Sequence, residues 1–472
     1  MVFSSATFLF LFFPLFLILY NLKLFKDKNK ETLKKNTVLL IMSLIFYAWG
    51  EPVYIILMLL SIFYNYNAVI DIDRYISSPK KKKLVFVCAL IFNIFMLGFF
   101  KYYGFVVESI NGLFSLSLPV KNIPLPVGIS FYTFQVLSYV IDVYRGDVKA
   151  QRNIIPFATY ISMFPQLIAG PIVQYSDVEK QLSDRQVTAE KFAAGIMFFI
   201  KGLGKKVIFA NTVGAVYTEI LGMETATLSV VTSWLGIICY TLQIYFDFSG
   251  YSDMAIGLGK MLGFDFLQNF NFPYKAVSIT DFWRRWHISL SSWFRDYVYI
   301  PLGGNRKGTA RTILNIFVVW SLTGLWHGAA WNFIAWGVFY GVLLIAEKYV
   351  FASVIEKIPK FIRYTVTMVI VMIGWVFFSN ESLSAAFDYI GSMFGLWDNC
   401  FIDSTAEYLL SGNLFSVIIM ILCATGVFAA LPRIKNFRVN IAFMSIGYIG
   451  IFILCIIYLI SETYNPFLYF RF

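Results

Sequence analysis

Pro79-Lys-Lys-Lys-Lys-Leu84-Val-Phe-Val-Cys-Ala-Leu-Ile-Phe-Asn-Ile-Phe-Met-Leu-Gly-Phe-Phe100 sets a block of lysines directly against an apolar run. At 1.5 Å per residue, positions 84–100 approach the ~30 Å thickness of a bilayer's hydrocarbon layer. Runs of the same character recur along the chain at 7–20, 37–48, 52–70, 313–326, 364–378, 414–430 and 441–460. Hydrophobic residues make up 59% of the 472 positions and charged residues 14%. Mean hydropathy is +0.70. A soluble domain carries about 25% charged residues, so this chain lacks the side chains to wet a globular surface. The pattern predicts an all-α polytopic membrane protein with about eleven spans at 1.5 Å rise per residue.

Working outward from that stretch, the cations set the orientation. Lys and Arg total 38 against 27 Asp and Glu, an excess that in a soluble protein would suggest nucleic acid. Here the cations cluster at Lys23, Lys26, Lys28, Lys30, Lys34 and Lys35, then at Arg74 and Lys80–Lys83, with the charge-poor Gly50-Glu51-Pro52 between. Basic and charge-poor loops alternate as the positive-inside rule requires. This places the N-terminus outside and both basic loops in the cytosol, with lipid and not nucleic acid as the chain's partner. The first apolar run lacks a basic n-region and an A-x-A-like site, so it reads as a span and not a cleaved signal. Cys88, Cys239, Cys400, Cys423 and Cys455 are scattered, with no metal-ligand or redox spacing. No polar linker, low-complexity tract or internal repeat divides the chain, so residues 1–472 read as one membrane domain.

Pro124-Leu-Pro126, Phe164-Pro-Gln-Leu-Ile-Ala-Gly-Pro171 and Asp247-Phe-Ser-Gly-Tyr-Ser-Asp253 interrupt the apolar pattern of the middle third. Backbone at membrane depth leaves helical geometry only where protein or a water-filled cavity satisfies its polar groups. These interruptions therefore predict re-entrant or kinked segments lining a cavity.

The chain has two histidines, the one side-chain type whose ordinary pKa falls between pH 5 and 8. His327 follows the run 313–326, at a depth where ionisable groups usually face a cavity. Gly328, Ala329 and Ala330 leave room beside it. Trp331 stands one turn on if the helix continues, and Asn332 is placed to orient or polarise something nearby. A proton-transfer catalyst and a neutral structural imidazole both fit these residues. His287 lies in Asp281-Phe-Trp-Arg-Arg-Trp-His-Ile-Ser-Leu290. At helical spacing Trp283, Trp286, Leu290, Trp293 and Tyr297 form one stripe, with Arg284, Arg285, Ser292 and Arg295 opposite and His287 at the edge. That describes an interfacial helix, either a plain anchor or one whose arginines receive phosphates through their planar fork. Pro301-Leu-Gly-Gly-Asn-Arg-Lys-Gly-Thr309 is not a phosphate loop, since it lacks both the motif and the strand–loop–helix context.

Asp247–Asp253 with Met254-Ala-Ile-Gly257, Asn269-Phe-Asn-Phe-Pro-Tyr274, residues 282–306 and Trp326-His-Gly-Ala-Ala-Trp-Asn-Phe-Ile-Ala-Trp-Gly337 resemble the membrane-bound O-acyltransferase family. More narrowly, they resemble its bacterial alginate and peptidoglycan O-acetylase branch, as do residues 164–173 and the terminal Asn465-Pro-Phe-Leu-Tyr-Phe-Arg-Phe472. The resemblance implies a ring of transmembrane helices with re-entrant helices around a thinned centre and tunnel. It also implies His327 as catalytic histidine and His287 as the branch's second characteristic histidine. No bound cofactor is implied. Acetyl-CoA is the implied cytosolic acyl donor, and a secreted or anchored SGNH-type acyltransferase the implied partner.

The expected chemistry is acyl transfer, with histidine as general base and Asn332 or the Trp326 or Trp331 indole N–H as oxyanion donors. Two rivals stay open. One is D-alanyl or other acyl transfer to teichoic acid from a carrier protein. The other is a proton-coupled transporter using the histidines with Asp247 or Asp253, for which inverted repeats would be needed. The acceptor, whether peptidoglycan, alginate, cellulose or another wall polysaccharide, is not written in the sequence.

Overall fold

A computed structural model describes residues 1–472 except 122, 169, 431–436, 462–467 and 469–472, with backbone only at 430, 437 and 438. Among the described residues every regular element is helical. Among those residues six helices are long and apolar enough to cross a membrane: Ile55–Arg74, Pro79–Phe114, Val230–Leu262, Lys360–Ser379, Ser404–Ala424 and Val439–Ser461. The expected count of eleven spans is not reached on length and composition alone. Lys28–Gly50, Thr309–His327 and Trp331–Tyr349 are of similar length, but polar residues dilute their hydropathy. The terminal block at 465–472 lies outside the described residues apart from Leu468.

The chain resolves into two compact units, residues 1–199 with 252–267 and residues 200–251 with 268–472. In the first, Phe3, Phe8, Phe12, Phe16, Phe46 and Phe164 interlock, with centroids between 5.0 and 6.4 Å. Such rings carry large buried area and favour edge and offset contacts. Several buried polar side chains in this unit pair with one another, which offsets the cost of taking them out of water. Asn65 and Asn93 exchange amide bonds of 3.1 and 2.7 Å. Arg185 donates to the Tyr20 hydroxyl and to Asn36 at 2.8 and 2.6 Å. The kinked segment expected in the middle third is present here. Ile154–Ser162 stops at Met163, and a short helix Phe164–Leu167 follows, fully buried.

The second unit corrects the reading of Asp247–Asp253 as an interruption. Helix Val230–Leu262 runs through it without a break. The polar residues there serve side-to-side contact. Asp247 pairs with Lys206 at 2.8 Å, both side chains almost wholly buried, and accepts the Leu468 N–H at 2.8 Å. A Cβ on Gly250 would lie 2.7 Å from the Gly202 carbonyl oxygen, so glycine is kept for close approach and not for bending.

Helices Thr309–His327 and Trp331–Tyr349 form a hairpin that carries His327 at its turn. They touch backbone to backbone. A Cβ on Gly324 would meet the Phe333 carbonyl oxygen at 2.4 Å, and one on Gly337 the Trp320 carbonyl oxygen at 2.4 Å. Small residues permit this approach inside membranes.

Candidate active site

The expected interfacial helix around His287 is two helices. Ile279–Arg285 ends at Trp286, whose backbone is extended, and His287 itself is left-handed with φ +45. Ile288–Phe294 follows, then a π-turn at Arg295–Tyr299. The stripe read from helical spacing is thus broken in its middle. Trp283, Trp286, Leu290, Trp293 and Tyr297 are nevertheless all buried, because each short helix presents its own apolar face. The first helix begins on the Ser278 side chain, which accepts the Asp281 N–H. Glu347, from helix Trp331–Tyr349, accepts the Ile279 and Thr280 N–H groups at 2.7 and 3.1 Å. A carboxylate there satisfies donors that the helix cannot use and matches its dipole.

The two histidines line one cavity of about 830 Å³. His287 and His327 are 1% and 5% exposed. Trp326 lies against both imidazoles, with centroids 6.0 Å from His287 and 4.9 Å from His327. Phe248 closes one side of His287 at 4.7 Å, and Trp336 and Phe378 flank His327 at 5.0 and 5.2 Å. Trp283, Arg284, Arg295 and Lys348 share the cavity wall. His287 occupies the break between two short helices, outside the membrane-spanning ones, and burial lowers its pKa to about 3. A buried imidazole resists charge because protonation would leave an ion poorly solvated, so this ring is neutral at physiological pH. Among the described residues no cluster of His, Cys, Asp or Glu is arranged to hold a metal ion.

Residues 149–385 match the sequence profile of the membrane-bound O-acyltransferase family. The chain belongs to that family. This acyltransferase is 39% identical over 497 residues to a probable alginate O-acetylase AlgI of Pseudomonas putida, covering 100% of both chains. It is 34% identical to a peptidoglycan O-acetyltransferase of Helicobacter pylori, over 84% of this chain and 80% of the relative. A teichoic acid D-alanyltransferase of Bacillus subtilis matches at 29% over 53% of this chain and 68% of the relative.

Within this membrane-bound O-acyltransferase, the residues singled out from sequence divide. Arg284, Arg295, His287 and His327 line the cavity and Trp326 touches both imidazoles. Arg285 turns away, binding Asp281 at 2.8 Å and the Asn271 carbonyl. Asn332 gives both amide donors to the carbonyls of Phe377 and Asn380, at 3.2 and 2.7 Å, so they are not available to an oxyanion. Trp331 is 59% exposed. The spacing that paired it with His327 assumed a continuous helix, whereas Gly328 and Ala330 are extended, and Trp336 takes the place beside the ring. Asp253 is buried but belongs to the first unit, not to the one holding the histidines. Trp283 was read only as part of an apolar stripe. It lines the cavity, and its buried indole N–H donates to nothing among the described residues.

Proposed function

We propose that the protein passes an acetyl group from a cytosolic thioester, acetyl-CoA, to an extracytoplasmic polysaccharide hydroxyl, with delivery completed by an SGNH-type acyltransferase partner. It works in the bacterial cytoplasmic membrane with its N-terminus outside, and its two units act as one domain. The observation that carries this reading is the meeting of both histidines in one cavity that Arg284, Arg295 and Lys348 also line. Whole-chain similarity to a probable alginate O-acetylase favours acetyl over D-alanyl, because the D-alanyltransferase relatives align over smaller shares.

In the proposed reaction the acceptor hydroxyl oxygen forms a bond to the thioester carbonyl carbon while His327 takes the hydroxyl proton. The carbon–sulfur bond then breaks, and the thiolate receives that proton and leaves as free thiol. General-base help of this kind is worth about 10²–10⁴-fold. His287, neutral, accepts a hydrogen bond that aims the hydroxyl. The Trp283 indole N–H is the donor best placed for the developing oxyanion, since such donors work when preorganised in a site closed to water. The arginines and Lys348 meet the donor's phosphates.

The test is thiol release from acetyl-CoA by purified protein in proteoliposomes supplied with acceptor. His327→Ala should lower the rate by about 100-fold or more in protein that elutes as a folded species. An unchanged rate rejects the reading.

A further inference from the structure

Asn269 is fully buried and lies outside every role given above. Its side-chain oxygen accepts from the Ser289 backbone N–H at 3.1 Å and from the Ser289 hydroxyl at 3.0 Å. The same oxygen lies 3.3 Å from Nδ1 of His287. A backbone N–H can only donate, so the amide atom facing Ser289 is the oxygen and not the NH₂ group. The ring nitrogen that meets that oxygen must then carry a hydrogen.

We propose that Asn269 is a positioning residue that fixes His287 as the Nδ1–H tautomer, leaving Nε2 as the nitrogen that accepts from the incoming hydroxyl. This rests on the reading of His287 given under the proposed function.

The backbone makes the arrangement rigid. Ile288 N–H donates to the Asn269 carbonyl at 3.0 Å, and Asn271 N–H to the Arg285 carbonyl at 2.9 Å. These two bonds clamp the chain on either side of His287 and hold it in its left-handed conformation, which a residue with a Cβ adopts only under constraint. The ring is therefore aimed by the main chain and its tautomer chosen by Asn269, the arrangement seen when a second group orients a functional histidine.

An amide suits this task better than a carboxylate. Both accept the Nδ1 proton, but a carboxylate would also stabilise the imidazolium and so raise the pH at which Nε2 stops accepting. The charged and titratable groups sharing the cavity with His287 are Arg284, Arg295, Tyr299, His327, Glu347, Lys348 and Glu356. The nearer contacts of the ring, Phe248 and Trp326, are uncharged.

With two histidines in the chain, the tautomer can be read directly. Protein labelled with ¹⁵N-histidine and held in lipid at pH 7 gives four ring nitrogens, and a His327→Gln sample assigns them. His287 should show a protonated Nδ1 and an unprotonated Nε2. The reverse pattern, or an imidazolium, overturns the proposal whether or not any Asn269 variant folds. In a pH titration of the same labelled protein, Asn269→Asp should raise the pH at which His287 gains its second proton by about one unit or more, because the carboxylate stabilises the imidazolium. A titration superimposable on that of the unaltered protein overturns the proposal. His287→Ala separates the two ideas. If it keeps the full rate of thiol release, the reading of His287 fails, whereas loss of that rate beside an unshifted Asn269→Asp titration sinks the Asn269 proposal alone.

Discussion

Asn332 donates to the main-chain carbonyl of Asn380 at 2.7 Å and so ties the first turn of Trp331–Tyr349 to the end of Lys360–Ser379. The residue sits five positions after His327, where sequence position suggests chemistry, yet its donors serve architecture. Asn332→Ala should lower stability by about 1–3 kcal/mol, the cost of stranding buried carbonyls. Activity per folded molecule should stay within about threefold of normal. Thermal unfolding in detergent and thiol release measure the two effects, and a 100-fold loss of rate at unchanged stability would contradict this assignment.

Arg284 and Lys348 line the cavity with no acidic partner holding either among the described residues, whereas Arg295 is already engaged by Asp296 at 2.7 Å. Replacing Arg284 with Gln should raise KM for acetyl-CoA about tenfold and leave kcat within about twofold, as removal of one charge-assisted phosphate contact predicts. The effect should shrink at high salt. Equal KM values in the two proteins would remove the phosphate role.

Glu347 caps a helix from a distance, so its charge should matter to geometry more than to chemistry. Glu347→Gln keeps an oxygen for one N–H but loses the favourable interaction with the helix dipole, costing about 0.5–2 kcal/mol. The measurable consequence is a lower unfolding temperature. An unchanged temperature would show that the two backbone bonds contribute nothing.

The pKa of His287 gives a stability prediction with a definite sign. Its folded value is about 3 against an ordinary 6.5, so between these values the unfolded chain binds a proton that the folded one does not. The contribution is complete above about pH 6.5 and is lost progressively as pH falls towards 3. From pH 7 to 5 the loss should be about 2 kcal/mol at 1.36 kcal/mol per unit. Unfolding scans of the unaltered protein and of His287→Gln should diverge across that interval, and parallel curves would contradict the burial argument.

Gly324 and Gly337 bring two backbones into contact at the hairpin that bears His327. Gly324→Leu should prevent that contact and abolish folded, detergent-stable protein. Recovery of normal yield and rate would mean that the crossing tolerates separation.

Much of the scaffold was legible because a bilayer imposes a length on apolar runs. The runs at 84–100, 364–378 and 441–460 each fall within a helix long and apolar enough to cross, and the run at 52–70 lies mostly within another, Ile55–Arg74. Local rules failed where the decisive partner lies far along the chain. Nothing near Asp247 reveals that Lys206 neutralises it, so a polar stretch inside a continuous helix read as a break. Helical spacing carried across Trp286–His287 and across Gly328–Ala330 misplaced the stripe and chose Trp331 over Trp336. Asn269 stood in a recognised block, but its meaning depends on which segment its chain lies against.

Helix Pro79–Phe114, at 36 residues, measures about 54 Å along its axis, nearly twice the depth of a hydrocarbon layer. Its apolar part ends at Phe100, and the closing turns carry Lys101, Glu108 and Asn111. A helix of that length outlasts a ~30 Å layer, so it must either tilt steeply or carry its last turns beyond the acyl chains.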